Sequence, residues 1–72
     1  MPDSMKISKY KFEEEMQSLL NAAKSTGNIS IARGYLKEAK SKIDGYYNIT
    51  SSLKQQYLRE IEDVADELGI SI

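Results

Sequence analysis

The 72-residue chain has no cysteine, no histidine and no tryptophan, and it carries one proline and four glycines. Without cysteine there is no disulfide framework, no thiolate nucleophile and no Cys-containing zinc site. Without histidine, the usual general base near neutral pH and the commonest transition-metal ligand are both missing, so most hydrolase and metalloenzyme schemes lack their parts. The expectation is a protein that is not an enzyme and uses no metal or cofactor. Ten basic against eleven acidic side chains leave a net charge of −1, which provides no global field for nucleic acid or an anionic membrane. Any such binding has to be local. No apolar run approaches the roughly 18 residues of a membrane span, and the N-terminal stretch shows no apolar segment followed by a small-residue cleavage site. The cytoplasm is the expected location.

What is present is an ordinary globular composition, 40% hydrophobic and 29% charged, and the sparing use of proline and glycine argues against a disordered linker. A chain of this length is one domain near the lower limit for a core that must stand without disulfides, metal or a partner subunit. Self-association, in the simplest case as a homodimer, is one way for such a domain to gain stability.

Three stretches repeat apolar residues at alternating steps of three and four, which keeps them on one side of a helix. The first is Phe12, Met16, Leu19 and Ala23, with Leu20 beside them, while Glu13 to Glu15 and Gln17 are expected to face water. Ser8 is its candidate N-cap, with Ile7 and Phe12 spaced as a hydrophobic staple. The residues before it, Met1 to Ile7, show no period and read as an extended lead-in. Gly27 suits the left-handed residue that stops the helix, and Asn28 follows at once as the next N-cap.

The second stripe is Ile29, Ala32, Leu36, Ala39 and Ile43, ended by Gly45, for which the same left-handed conformation is expected. Gly34 lies opposite this stripe and costs about 1 kcal/mol relative to alanine. The third and most regular stripe is Leu53, Tyr57, Ile61, Val64 and Leu68, capped by Thr50 or, alternatively, by a Ser52/Gln55 capping box, and ended by Gly69 with Ile70 able to fold back. The predicted helices are about 9–26, 29–44 and 51–68. The short break between the first two forces an antiparallel hairpin, and stripes with this period pack at shallow angles. The fold expected over residues 1–72 is all-α, an antiparallel up-down-up three-helix bundle. Its expected core is the three stripes, widened by Leu20, Leu58 and Ala65.

Charge is sorted along the chain. Residues 1–23 hold three basic and four acidic side chains, residues 24–54 six and two, and residues 55–72 one and five, giving −1, +4 and −4. The basic second helix is expected to lie beside the acidic outer face of the third, within one chain or across two, although exposed ion pairs each contribute only about 0–1 kcal/mol. Arg33, Lys37, Lys40, Lys42 and Lys54 also form a candidate basic face for nucleic-acid phosphate, an alternative function for the chain.

Several apolar residues fall off the stripes. Ile31 and Tyr35 lie one turn apart on the flank of the second helix, and Tyr46 and Tyr47 continue from its end. Tyrosine is favoured at interface centres because it is large, stiff and half polar. Ile31, Tyr35, Tyr46 and Tyr47 are therefore the candidate partner-binding surface.

Three other patterns carry weaker signals. Val64 to Ser71, with its Leu68-Gly69-Ile70 turn, resembles the first helix and turn of helix-turn-helix DNA-binding proteins. That resemblance would imply a second, recognition helix in the major groove. No such helix follows in the sequence and the surroundings are acidic, so a plain helix C-cap is expected. Asn28 to Ser30 and Asn48 to Thr50 match the Asn-x-Ser/Thr acceptor pattern but are read as helix-start chemistry. Glu13 to Glu15 and the Glu62/Asp63/Asp66/Glu67 group lack the spacing of a calcium loop and read as solvated faces. The expected function is thus a small non-enzymatic module that binds another protein or itself.

Overall fold

The computed structural model describes residues 6–72, so most of the predicted lead-in, residues 1–5, lies outside the described residues. Three helices follow one another: α1 (Lys9–Ser25), α2 (Ile29–Gly45) and α3 (Ser51–Leu68). They match the predicted helices to within one residue at each end, and every pair of helices is in contact. None is long and apolar enough to cross a membrane.

Each start is set by a short polar side chain in extended conformation. The Lys11, Ile31 and Leu53 amides donate to Ser8 Oγ, Asn28 Oδ1 and Thr50 Oγ1 at 3.2, 3.1 and 3.3 Å. Thr50, not the Ser52/Gln55 box, caps α3. Such caps each stabilise a helix by about 1 kcal/mol, because they satisfy amides that have no partner within the helix.

The stops differ. Gly27 (φ +69°) and Gly69 (φ +72°) adopt the left-handed conformation that a side chain would strain. Beyond α3 the Gly69 amide donates to Asp66 O and the Ile70 amide to Ala65 O, at 3.1 and 2.7 Å. This is the Schellman arrangement, and Ile70 folds back into the core. Gly45 departs from expectation: it is the last residue of α2, its φ is not positive, and the chain leaves through Tyr46 in extended conformation.

Contacts along the helices fix their directions. Glu15 of α1 meets Lys42 of α2, whereas Ala23 and Ala32 line one recess further along, so α1 and α2 are antiparallel. Phe12 packs on Tyr57 while Ala23 and Leu68 share that same recess, so α1 and α3 are parallel. The order is up, down, up.

Among the described residues fifteen buried apolar side chains form one core, and none of the buried residues is polar or charged. Phe12, Met16, Ala23, Ala32, Leu36, Ala39, Ile43, Tyr57, Ile61 and Val64 were expected there. The departures follow from the geometry of each helix. On α1 the buried arc is turned toward α3, so Leu20 is buried and Leu19 only partly so. Leu53, Leu58 and Leu68 pack against the core from its edge. Ile29 stands in the first turn of α2, next to the end of α1, and is 49% exposed instead of buried. Ile49, just before the Thr50 cap, is buried at the start of α3, as Ile70 is beyond its end.

Candidate partner-binding surface

Of the four candidate partner-binding residues, Tyr46 belongs to the core. The chain leaves α2 in extended conformation at this residue, which turns the ring inward, where it is 8% exposed. It meets Phe12 edge to face, with centroids 5.9 Å apart, and Tyr57 meets Phe12 in a similar T-shaped contact at 5.6 Å. Such contacts add about 0.5–1.5 kcal/mol each beyond the apolar area buried.

Both phenols keep their hydroxyls at the edge of the core. Tyr46 donates to Glu15 Oε1 at 3.0 Å and Tyr57 to Glu13 Oε1 at 3.3 Å. Glu13 and Glu15 are therefore half-buried acceptors and not part of a freely solvated face. Burial, then the neighbouring Glu15 carboxylate, raises the Tyr46 pKa above its ordinary 10.0, against an opposing pull from Lys42. Tyr57 is raised as well, first by burial and then by Glu13 and Glu60, with a hydrogen bond to Gln17 lowering it.

The remaining three candidates separate. Tyr35 is half-buried and packed against the core. Ile31, four residues before it, is 49% exposed, and Tyr47 is 64% exposed in the loop beyond α2. With Tyr46 withdrawn, these do not join into one tyrosine patch. Ile31 with the outer part of Tyr35 forms one exposed flank, and Tyr47 stands apart at the other end of α2. Three exposed large apolar residues fall outside the candidate set: Tyr10, on the outer side of α1, Ile29, and Ile72 beyond α3. Ile29 borders an apolar recess of about 190 Å³ with Ala23, Ala32 and Leu68. Its place at the very start of α2, where few neighbours remain to cover a stripe residue, was the available sequence signal.

The basic candidates also divide. Lys42 Nζ lies 3.5 Å from Glu15 Oε1, with both side chains about one-third exposed. It is engaged with α1 and not with a face open to phosphate. Arg33, Lys37 and Lys40 are exposed, and Lys54 is half-buried. Among the described residues the only ion pair within 4 Å is Lys42 to Glu15. The expected pairing of α2 with the acidic face of α3 is thus absent within the chain.

A recess of about 400 Å³ lies elsewhere, between Lys9 and the start of α3, lined also by Asn48, Ile49, Thr50, Leu53 and Gln56. Asn48 there is not a helix cap. Its side chain accepts from the Ile7 amide at 3.0 Å and donates to the Ile7 carbonyl at 2.5 Å, which clasps residue 7 to the loop. No group of three or more carboxylates among the described residues is arranged to hold a metal ion.

Comparison of the chain with protein-family models, curated proteins and solved structures found no match.

Proposed function

We propose that the chain is a non-enzymatic helical module that works by binding protein, through the exposed outer surface of α2 and the loop that follows it. The observation that carries this reading is that Ile31 and Tyr47 stay largely exposed outside a core that is already closed. Neither residue belongs to the core cluster or packs against it, so neither is needed to complete the fold. Large apolar side chains of this kind supply the central contacts of protein interfaces. The absence of histidine and cysteine from the sequence supports the non-enzymatic part of the reading.

The test is the pair of substitutions Ile31→Ser and Tyr47→Ser, made in one chain. Helix content and melting temperature should hold, while association measured by light scattering and by capture of bound protein should fall. Unchanged association in both assays overturns the reading. Tyr35 is unsuitable for this purpose, because its packing on the core couples any substitution to stability.

A second reading rests on the exposure of Arg33, Lys37 and Lys40: a nucleic-acid accessory protein that holds phosphates with these side chains and Lys54. Binding of duplex or single-stranded nucleic acid that weakens steeply with salt is its expected signature. Absence of binding at low salt removes it.

A further inference from the structure

Arg33, Lys37 and Lys40 follow one another at steps of four and three on α2. Glu60, Asp63 and Glu67 follow one another at steps of three and four on α3. Each set spans seven residue steps, roughly 10.5 Å of helix at 1.5 Å per residue. Read in opposite directions the two spacings coincide, so that Arg33 falls opposite Glu67, Lys37 opposite Asp63 and Lys40 opposite Glu60.

The fold keeps these stripes from meeting within one chain. Glu38 and Lys42 border the α1 side of α2, in a recess shared with Glu14 and Glu15. At about 100° per residue, Arg33, Lys37 and Lys40 lie on the flank of α2 away from α1. On α3, Gln56 borders a recess with Lys9 of α1, and Glu60, Asp63 and Glu67 continue that flank at steps of four, three and four. The acidic stripe thus runs along the α1 side of α3. Asp63 and Glu67 are exposed, and Glu60, half-buried, accepts from Gln56 Nε2 at 3.4 Å. The three basic residues are exposed and make no ion pair with a carboxylate of the described residues.

We propose that the chain associates head to tail with a second copy of itself, the Arg33/Lys37/Lys40 stripe of one copy lying antiparallel on the Glu60/Asp63/Glu67 stripe of the next. The inference rests on the reading of the chain as a protein-binding module and adds a second copy as a partner, held by the flank of α2 away from α1 and not by the Ile31 side. Because the two stripes lie on different sides of the molecule, the contact is heterologous: it leaves one free stripe of each sign at the ends, and association continues unless it closes into a ring. Exposed ion pairs are individually weak and are screened by salt, so the assembly is reversible and salt-dependent. Ile29, one turn before Arg33 on the same flank, adds apolar area at the edge of the contact.

The experiment is sedimentation velocity with light scattering on the full chain, from about 0.01 M to about 1 M salt, over which the screening length falls from about 30 Å to about 3 Å. The expected result is a mass above the 8.2 kDa monomer at low salt, rising with protein concentration and returning to the monomer at high salt. The variant Arg33→Glu/Lys37→Glu/Lys40→Glu and the variant Glu60→Lys/Asp63→Lys/Glu67→Lys should each be monomeric at low salt. An equimolar mixture of the two should regain mass, because each then presents stripes of one sign to the other. If circular dichroism finds a reversed variant unfolded, Arg33→Gln/Lys37→Gln/Lys40→Gln replaces it and should lose the same association. A monomeric wild type at every salt, or association unchanged in the glutamine variant, overturns the proposal. A monomer that still captures a protein through Ile31 and Tyr47 overturns self-association alone and leaves the broader reading standing. A monomer that instead binds nucleic acid through the same basic stripe also overturns it and supports the other class of partner.

Discussion

The Tyr46 hydroxyl donates to Glu15 Oε1 at 3.0 Å, across thirty-one residues of sequence, and Lys42, one turn before Tyr46, pairs with the same carboxylate oxygen at 3.5 Å. A charged acceptor, a phenol and an ammonium group therefore tie the end of α2 to the first half of α1, directly above the Phe12 ring.

Tyr46→Phe removes the hydroxyl and keeps the ring. The expected loss is about 1–2 kcal/mol, the range for a hydrogen bond to a charged group at a partly buried site. Tyr46→Ala removes the edge-to-face contact as well and should cost about 3–5 kcal/mol, as truncation of a core aromatic does. Urea titration of both variants checks the difference. Equal losses would mean that the hydroxyl, not the ring, dominates. Lys42→Ala should cost only about 0–1 kcal/mol, since its pair with Glu15 is partly solvated.

The same phenols set an alkaline limit. Their folded-state pKa values lie above 10.0, with burial the largest cause in both. A group whose pKa is raised on folding gives up its proton more readily in the unfolded chain. Its contribution is fully present below pH 10 and is lost as the pH rises through the raised folded value. Stability should therefore fall on the alkaline side of pH 10, and Tyr46→Phe combined with Tyr57→Phe should flatten that part of the curve. Tyrosinate absorbance followed during pH titration of wild type and double variant should assign the late-titrating signal to these two residues.

Glycine substitutions should separate by sign. Gly34 lies within α2 with no atom within 4 Å of where a methyl group would be added, so Gly34→Ala should stabilise the fold by about 1 kcal/mol. Gly69 has equal space but a φ of +72°, so Gly69→Ala should destabilise by about 1–2 kcal/mol. Thermal melts suffice, since about 1 kcal/mol moves the midpoint of a domain this size by roughly 4–8 °C.

Asn48→Ala should release Ile7 from the loop. Loss of protection at the Ile7 amide in hydrogen exchange, with α1 to α3 unchanged, is the expected outcome. A global loss of protection would instead assign Asn48 a part in core stability.

The helices and their order were legible because three apolar stripes with a helical period coincide with Ser8, Asn28 and Thr50 at their starts and with Gly27 and Gly69 at two of their ends. Periodicity reports which side of a helix is apolar, but not how far that side is turned toward each neighbour, which is why Leu19 and Leu20 exchanged roles. It also counts a residue at a helix end as if it had neighbours on all sides, and Ile29 does not. Tyr46 escaped for a different reason: it follows the last turn of α2, where the backbone leaves helical geometry and a wheel no longer describes where a ring goes. The carboxylates of Glu15 and Glu13 look solvated in the sequence because phenol donors contributed from 31 and 44 residues away leave no local pattern. The charge segregation was legible, but not whether the basic and acidic helices pair within one chain or across two, because a composition count carries no information about which flank each stripe occupies.

The connection between α1 and α2 is only Thr26, Gly27 and Asn28, and this has a kinetic consequence. Contacts across the α1/α2 hairpin are separated by little chain, so they form at low entropic cost, whereas Phe12 and Tyr57 must close a loop of more than forty residues. The hairpin is thus the natural early structure in folding, with α3 docking onto it afterwards. Any chain caught between the two steps exposes the Phe12 ring, and with it the part of the core that the last helix is needed to cover.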